Sequence, residues 1–170
     1  EKLETRTVDV RGTAGIGHTR WATHGGVSDA NSHPHKFGSV TLVHNGIIEN
    51  YASLREELQA KGYTFVSETD TEIIVHLLEM YYAGDLKSAV MKTVSRLEGS
   101  YGLGVLCTEK PDTLFAVKEA SPLILGVGVG ENYFASDVTA LVSHTRNAIY
   151  LDDDEFAELT PDAISLFNCA

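Results

Sequence analysis

The sequence predicts an α+β layered sandwich, and three observations carry that prediction. Apolar residues recur at helical spacing in three consecutive segments between Ile47 and Leu97, a series of short strand-like runs follows Tyr101, and turn signals such as Lys110-Pro111-Asp112 and Gly130-Glu131-Asn132 separate those runs. Helices segregated in this way from antiparallel strands bury their apolar faces by packing as layers. The 170 residues are the size of one domain, spanning 1–170, large enough to bury a core without disulfides or a structural metal.

Taken in order, residues 1–11 are charged and without period, an exposed lead-in. Ala14-Gly15-Ile16-Gly17-His18 has the small-residue character of a central strand, where glycines let backbones approach. The stretch from His18 to Gly26 packs Arg20, the single tryptophan Trp21, Thr23 and His24 ahead of a Gly-Gly hinge, a mixture suited to a loop that covers a substrate. Gly25 to Phe37 is rich in turn formers and reads as a long loop. A strand over Ser39 to His44 should stop at Asn45-Gly46, a dipeptide that readily adopts positive φ.

Ile47, Tyr51, Leu54 and Leu58 then predict an amphipathic helix that Gly62 ends, followed by a short strand over Tyr63 to Val66. Thr69 and Glu72 have capping-box spacing before a second helix carrying Ile73, Ile74, Leu77, Leu78 and Tyr81. Gly84 breaks it, and Asp85 can cap a third helix whose buried face is Leu86, Val90, Val94 and Leu97. The remaining strands fall at Leu103 to Cys107, Thr113 to Val117, Leu123 to Val127, Tyr133 to Ser136, Ala148 to Leu151, Phe156 to Leu159 and Ala163 to Phe167, with a brief helical turn near Ala140.

A net charge of -11 argues against nucleic acid and anionic membranes as partners, since both would be repelled, and leaves a small molecule as the better fit. Cys107 and Cys169 have no paired or CxxC spacing, so no disulfide framework or zinc ribbon is encoded, and a reducing cytoplasm is the expected location. No apolar run approaches the roughly 20 residues that span a bilayer, and the start lacks the apolar segment of a signal peptide.

Three groups could do chemistry. Arg20 can bind a carboxylate through two parallel hydrogen bonds, though a surface salt bridge would also account for it. Asp70, in the first turn of a helix, could simply complement the helix dipole. If the two meet in one cleft, however, they match the carboxylate and ammonium of a free α-amino acid. Asn45-Gly46 adds a side-chain amide donor beside a permissive backbone N–H, the chemistry of an oxyanion hole, unless it is an ordinary turn. The histidines at 18, 24, 33, 35 and 44 raise a metal site, but carboxylate or thiolate partners at tight spacing are lacking and orientation of loop and substrate is the preferred account. The run Asp152-Asp153-Asp154-Glu155 reads as a solvated turn.

His18-Thr-Arg-Trp-Ala-Thr-His-Gly25, His44-Asn-Gly-Ile-Ile-Glu-Asn50 and Ser67-Glu-Thr-Asp-Thr-Glu72, in that order, closely resemble the glutaminase domains of the glutamine:fructose-6-phosphate aminotransferase family, which are class II glutamine amidotransferases. The resemblance runs from about Gly15 to the end and includes Ser121-Pro122-Leu123 and Ala135-Ser136-Asp137. It implies an N-terminal-nucleophile (Ntn) hydrolase sandwich of four layers, αββα. It implies that Arg20 grips the α-carboxylate of glutamine and Asp70 its α-ammonium, that Thr23, His24 and His33 line the same pocket, and that Trp21 is part of a lid over Arg20 to Ser28. Asn45 and the Gly46 N–H would hold the oxyanion; no cofactor or metal is expected.

The same resemblance places the nucleophile, a cysteine whose own α-amino group is the base, at the first residue of the mature chain, within a first strand and helix. This sequence starts at Glu1, without that segment, so these residues alone are expected to bind glutamine or glutamate and not to hydrolyse it. With the segment present, the expected activity is glutamine hydrolysis to glutamate and ammonia for transfer to fructose 6-phosphate, giving glucosamine 6-phosphate. The implied partners are a sugar-phosphate isomerase domain of the same polypeptide and, through it, a second copy as a homodimer. The alternative is a glutamine-sensing domain without catalysis.

Overall fold

The computed structural model describes residues 12–21 and 25–169. Its elements are β1 (His35–Phe37), β2 (Val40–Ile48), α1 (Tyr51–Ala60), α2 (Thr71–Tyr81), α3 (Leu86–Val94), β3 (Gly99–Cys107), β4 (Leu114–Glu119), β5 (Ile124–Val127), β6 (Asn132–Ala135), β7 (Ala148–Tyr150), β8 (Glu155–Leu159) and β9 (Ile164–Asn168), with a 3-10 turn at Val138–Ala140. A six-stranded antiparallel sheet has the order β1-β2-β3-β4-β8-β9, and a three-stranded one the order β6-β5-β7.

Alternation along the strands separates the two faces of the larger sheet. Tyr101, Leu103, Val105 and Cys107 of β3, with Phe115 and Val117 of β4 and Phe156 of β8, pack in one core with the helices. Between them lie Gly102, Gly104, Ala116 and Ala157, whose small size lets the second sheet come close: a Cβ on Gly104 would overlap the Phe134 ring. Ala116 and Ala157 thus join Leu123, Leu125 and Leu151 in a second core between the sheets. Helix layer, large sheet and small sheet are three of the four expected layers, and the described residues contain no helix on the far side of the small sheet.

The helices hold by packing more than by capping. Ile73, Ile74, Leu77 and Leu78 of α2 are at most 1% exposed, and their burial contributes on the order of 8 kcal/mol before chain entropy is subtracted. The expected capping box does not form. Thr69 turns to Ser67 and His35, while Glu72 reaches back beyond it to accept hydrogen bonds from the Val66 N–H at 2.8 Å, the Ser67 N–H at 2.7 Å and the Ser67 hydroxyl at 2.6 Å. One of those bonds also satisfies the Val66 N–H at the end of the segment expected to form a strand over Tyr63 to Val66, which stays outside the sheet. Asp85 does cap α3, accepting from the Lys87 N–H at 3.1 Å.

Four further expectations are corrected. Ala14 to His18 makes no ladder among the described residues; its alternate residues are exposed and no strand edge is hydrogen-bonded to it. The long loop ends early, because His35–Phe37 pairs with Val40–Leu42 across a turn at Gly38, whose φ is 55°. β2 does not stop at His44 but runs through Asn45-Gly46, paired with Gly102 and Tyr101. Ile47 is therefore a strand residue, and α1 begins at Tyr51, with Leu54 and Leu58 buried. No helix among the described residues is long and apolar enough to cross a membrane.

Candidate active site

A cavity of about 280 Å³ opens where the far end of β2 meets the N-terminus of α2, lined by His18, Trp21, His33, Asn45, Gly46 and Asp70, with Ser100 of β3 also in its wall. Gly46 sits there with φ 127°, a conformation that L side chains rarely adopt. A Cβ would overlap the Ser100 carbonyl oxygen and stand 2.7 Å from its carbon. Glycine is thus the residue that lets β2 and β3 pair right up to the cavity.

Asp70 is 3% exposed, and its Oδ2 accepts the Ile48 N–H at 2.9 Å, so the helix start is bound to the strand two residues past Gly46. It is the only carboxylate among the described lining residues. Trp21 lies at the mouth, 90% exposed. Arg20 has φ 55°, and its Nη2 donates to the carbonyls of Gly25 at 3.3 Å and Gly26 at 3.0 Å, bridging the two ends of the loop. Its side chain is not part of the cavity wall, although its charge is close enough to help depress His33 and His35. Thr23 and His24 lie outside the described residues.

Several supporting residues escaped the sequence reading. Asn31, 4% exposed, donates through Nδ2 to the Gly26 carbonyl at 3.0 Å and to Glu68 at 3.2 Å, and its Oδ1 accepts the Glu68 N–H at 2.9 Å. Glu68 in turn accepts the Gly26 N–H at 3.2 Å. The pair pins the C-terminal end of the Arg20 loop to the segment that carries Asp70. Nothing in the local sequence marks these partners, which lie 37 residues apart. His18, in contrast, stood inside the opening motif; its Nε2 meets the Asn45 Oδ1 at 2.6 Å.

The histidines do not converge on a point. The His18 and His33 rings lie 4.2 Å apart between centroids, tilted by 40°, His33 meets His35 edge-on at 5.1 Å, and His44 bonds the Thr71 hydroxyl at 3.0 Å. No group of three or more His, Cys, Asp or Glu side chains among the described residues could hold a metal ion.

Burial, then the neighbouring His18, pushes His33 down to about 3, and burial pushes His44 down to about 4 against the pull of Asp70. In the unfolded chain both titrate near 6.5. Between those values the unfolded chain binds more protons than the folded one, so stability is present in full above about pH 7 and is lost as the pH falls through 6.5 toward 4. Urea unfolding at pH 7.5 and 5.0 is expected to show the lower midpoint at 5.0; equal midpoints would contradict neutral, buried imidazoles.

A helix layer on an antiparallel sheet backed by a second sheet is the layered sandwich of the glutamine amidotransferases of the N-terminal-nucleophile type, and in it an amide donor, a glycine N–H and a carboxylate lie around one small cavity. Solved structures agree. The chain superposes with a TM-score of 0.75 and 24% identity on a glutamine phosphoribosylpyrophosphate amidotransferase from B. subtilis, covering 90% of this chain and 34% of that one. The structure described as the allosteric regulatory enzyme of purine biosynthesis gives 0.77 and 25% over the same shares.

The sequence model of the glutamine amidotransferase domain matches residues 18–143, and the chain belongs to that family. It is 55% identical over 159 residues to the glutamine--fructose-6-phosphate aminotransferase [isomerizing] of Clostridium tetani, covering 92% of this chain and 26% of that protein. To the Aquifex aeolicus protein of the same description it is 51% identical over 162 residues, 94% and 27% of the two chains. The chain spans about a quarter of the length of the curated relatives it matches.

Proposed function

We propose that this domain binds L-glutamine in the cavity beside Asn45-Gly46 and Asp70 and presents its side-chain amide for hydrolysis to glutamate and ammonia. The observation that carries the reading is the fixed placement of a buried carboxylate, tied to β2 through the Ile48 N–H, close to the Asn45-Gly46 donors on the same strand. Asp70 would take the α-ammonium, and Arg20, released from the Gly25 and Gly26 carbonyls, the α-carboxylate. Asn45 Nδ2 and the Gly46 N–H would stabilise the charge that develops on the amide oxygen as a thiolate attacks the carbon and ammonia departs. His33 would wall the site as a neutral ring, Thr23 and His24 would line the same pocket, and Trp21 would form part of a lid that excludes water.

The attacking cysteine is not among these 170 residues. Cys107 is buried in β3 opposite Val40, and neither it nor Cys169 lines the cavity. The chain by itself is therefore proposed to bind glutamine or glutamate without turnover. In a longer protein carrying the nucleophile, the ammonia would pass to fructose 6-phosphate on an adjoining isomerase domain, a reading supported by what the relatives are called; that domain would also carry the contacts of a homodimer.

Because Trp21 is the only tryptophan, its fluorescence reports the mouth of the cavity. L-Glutamine is expected to give a saturable change that butyramide, which lacks both α-substituents, does not reproduce, with no ammonia released. Absence of saturation with L-glutamine would overturn the proposal.

A further inference from the structure

We propose that His18 is a positioning residue which decides the face that the Asn45 amide turns to the substrate, and which ties that amide to the backbone of Arg20. The proposal deepens the glutamine reading and rests on it for the meaning of the Asn45 donor, but its geometry stands without a ligand.

The two nitrogens of one imidazole are both engaged. Nδ1 lies 2.8 Å from the Arg20 backbone nitrogen, and Nε2 lies 2.6 Å from the Asn45 side chain. A backbone N–H can only donate, so Nδ1 must be the unprotonated, accepting nitrogen. A neutral ring with a bare Nδ1 carries its proton on Nε2. Nε2 can then only donate, and the Asn45 atom facing it must be the oxygen. The orientation of the Asn45 amide thus follows from the Arg20 backbone by way of the His18 tautomer.

Fixing the oxygen of an amide fixes its nitrogen on the other side. Asn45 Nδ2 has no partner among the described residues, and Asn45 is part of the cavity wall, so the donor pair remains for a ligand carbonyl. With the amide reversed, a carbonyl oxygen would face the developing oxyanion, and the hole would repel the charge it has to hold. His33, packed against His18 with ring centroids 4.2 Å apart and planes tilted by 40°, resists rotation of the ring out of this arrangement.

At the other end, the bond from Arg20 to Nδ1 closes a two-residue turn that supports the left-handed Arg20 backbone, φ 55°. The loop base and the oxyanion donor are held by the same ring. A movement of Arg20 that breaks this bond frees Nδ1, and with it the constraint that sets Asn45.

The test uses the 170-residue chain labelled with 15N. Long-range proton–nitrogen spectra of the histidine rings, assigned with His18→Ala, are expected to show His18 as the neutral Nε2–H tautomer at pH 7.5. An Nδ1–H tautomer or an imidazolium would overturn the proposal whatever glutamine does. Two variants then separate positioning from packing. His18→Gln places an amide donor where Nε2 stood, and should keep the Asn45 side-chain resonances and bind glutamine within about threefold of the parent. His18→Asn places its amide near Nδ1, leaves Asn45 without a donor, and should weaken glutamine about fivefold to tenfold, the worth of one hydrogen bond. Equal behaviour of the two variants, in resonances and in affinity, would sink the positioning role. If the parent chain binds no glutamine, the functional reading fails, and the tautomer together with the Asn45 resonances still decides this proposal.

Discussion

A Gly46→Ala variant is expected to lose about 3–5 kcal/mol of folding stability, the sum of overpacking against rigid backbone and a strained positive φ. The added Cβ would meet the Ser100 carbonyl and stand 2.9 Å from the Tyr101 Cα. Neither neighbour is the flexible end of a side chain; both belong to β3, which is held between β2 and β4. Relief requires the two strands to separate at their cavity end, which would also move Asn45. At this chain length each kcal/mol lowers the melting temperature by about 2–4 °C, so a fall of about 10 °C is expected by circular dichroism, together with loss of the glutamine signal. Gly62, also at positive φ but with open space around its Cβ position, provides the control. Its alanine variant carries the strain alone, so a Gly46→Ala melt no lower than that of Gly62→Ala would refute the close-approach account.

Asp70→Asn is expected to weaken glutamine binding on the order of 100-fold while the fold survives. The asparagine oxygen can still accept the Ile48 N–H, so the strand-to-helix tie persists. What disappears is the negative charge, in a wall that holds no other carboxylate among the described residues. A charge-assisted bond to an ammonium contributes about 1.5–3 kcal/mol, and a buried ammonium left without its counter-charge costs more. Calorimetric titration of the parent and the variant checks this. Binding within twofold of the parent, with an unchanged melting temperature, would remove Asp70 from the ammonium site. Asp70→Ala serves as the contrast: it orphans the Ile48 N–H and should destabilise by a further 1–3 kcal/mol or so.

Much of the layer order was legible because its signals are local. Asp85 caps the helix it was expected to cap, Gly62 follows the end of α1, and each strand from β3 onward appears within a few residues of its alternating run. Where expectation failed, another partner had displaced the expected one. Asn45-Gly46 has the composition of a turn, yet the glycines and small residues of β3 offered a ladder that carried β2 past it. Thr69 and Glu72 have the spacing of a capping box, yet Thr69 found Ser67 and His35, and Glu72 the amides of Val66 and Ser67, which no strand had claimed.

The candidate site divides the same way. Residue identity alone determined which groups are chemically apt: a cation, a carboxylate and an Asn-Gly donor pair can be picked out of any sequence because their chemistry travels with the side chain. Their arrangement could not be. That Asp70 is bound to β2, that the Arg20 side chain rests on its own loop, that Asn31 and Glu68 anchor that loop, and that His18 orients Asn45 were decided only when the chain folded. A hydrogen bond is set by distance and angle between groups, and for groups 22 to 37 residues apart those are properties of the packed layers, not of the spacing along the chain.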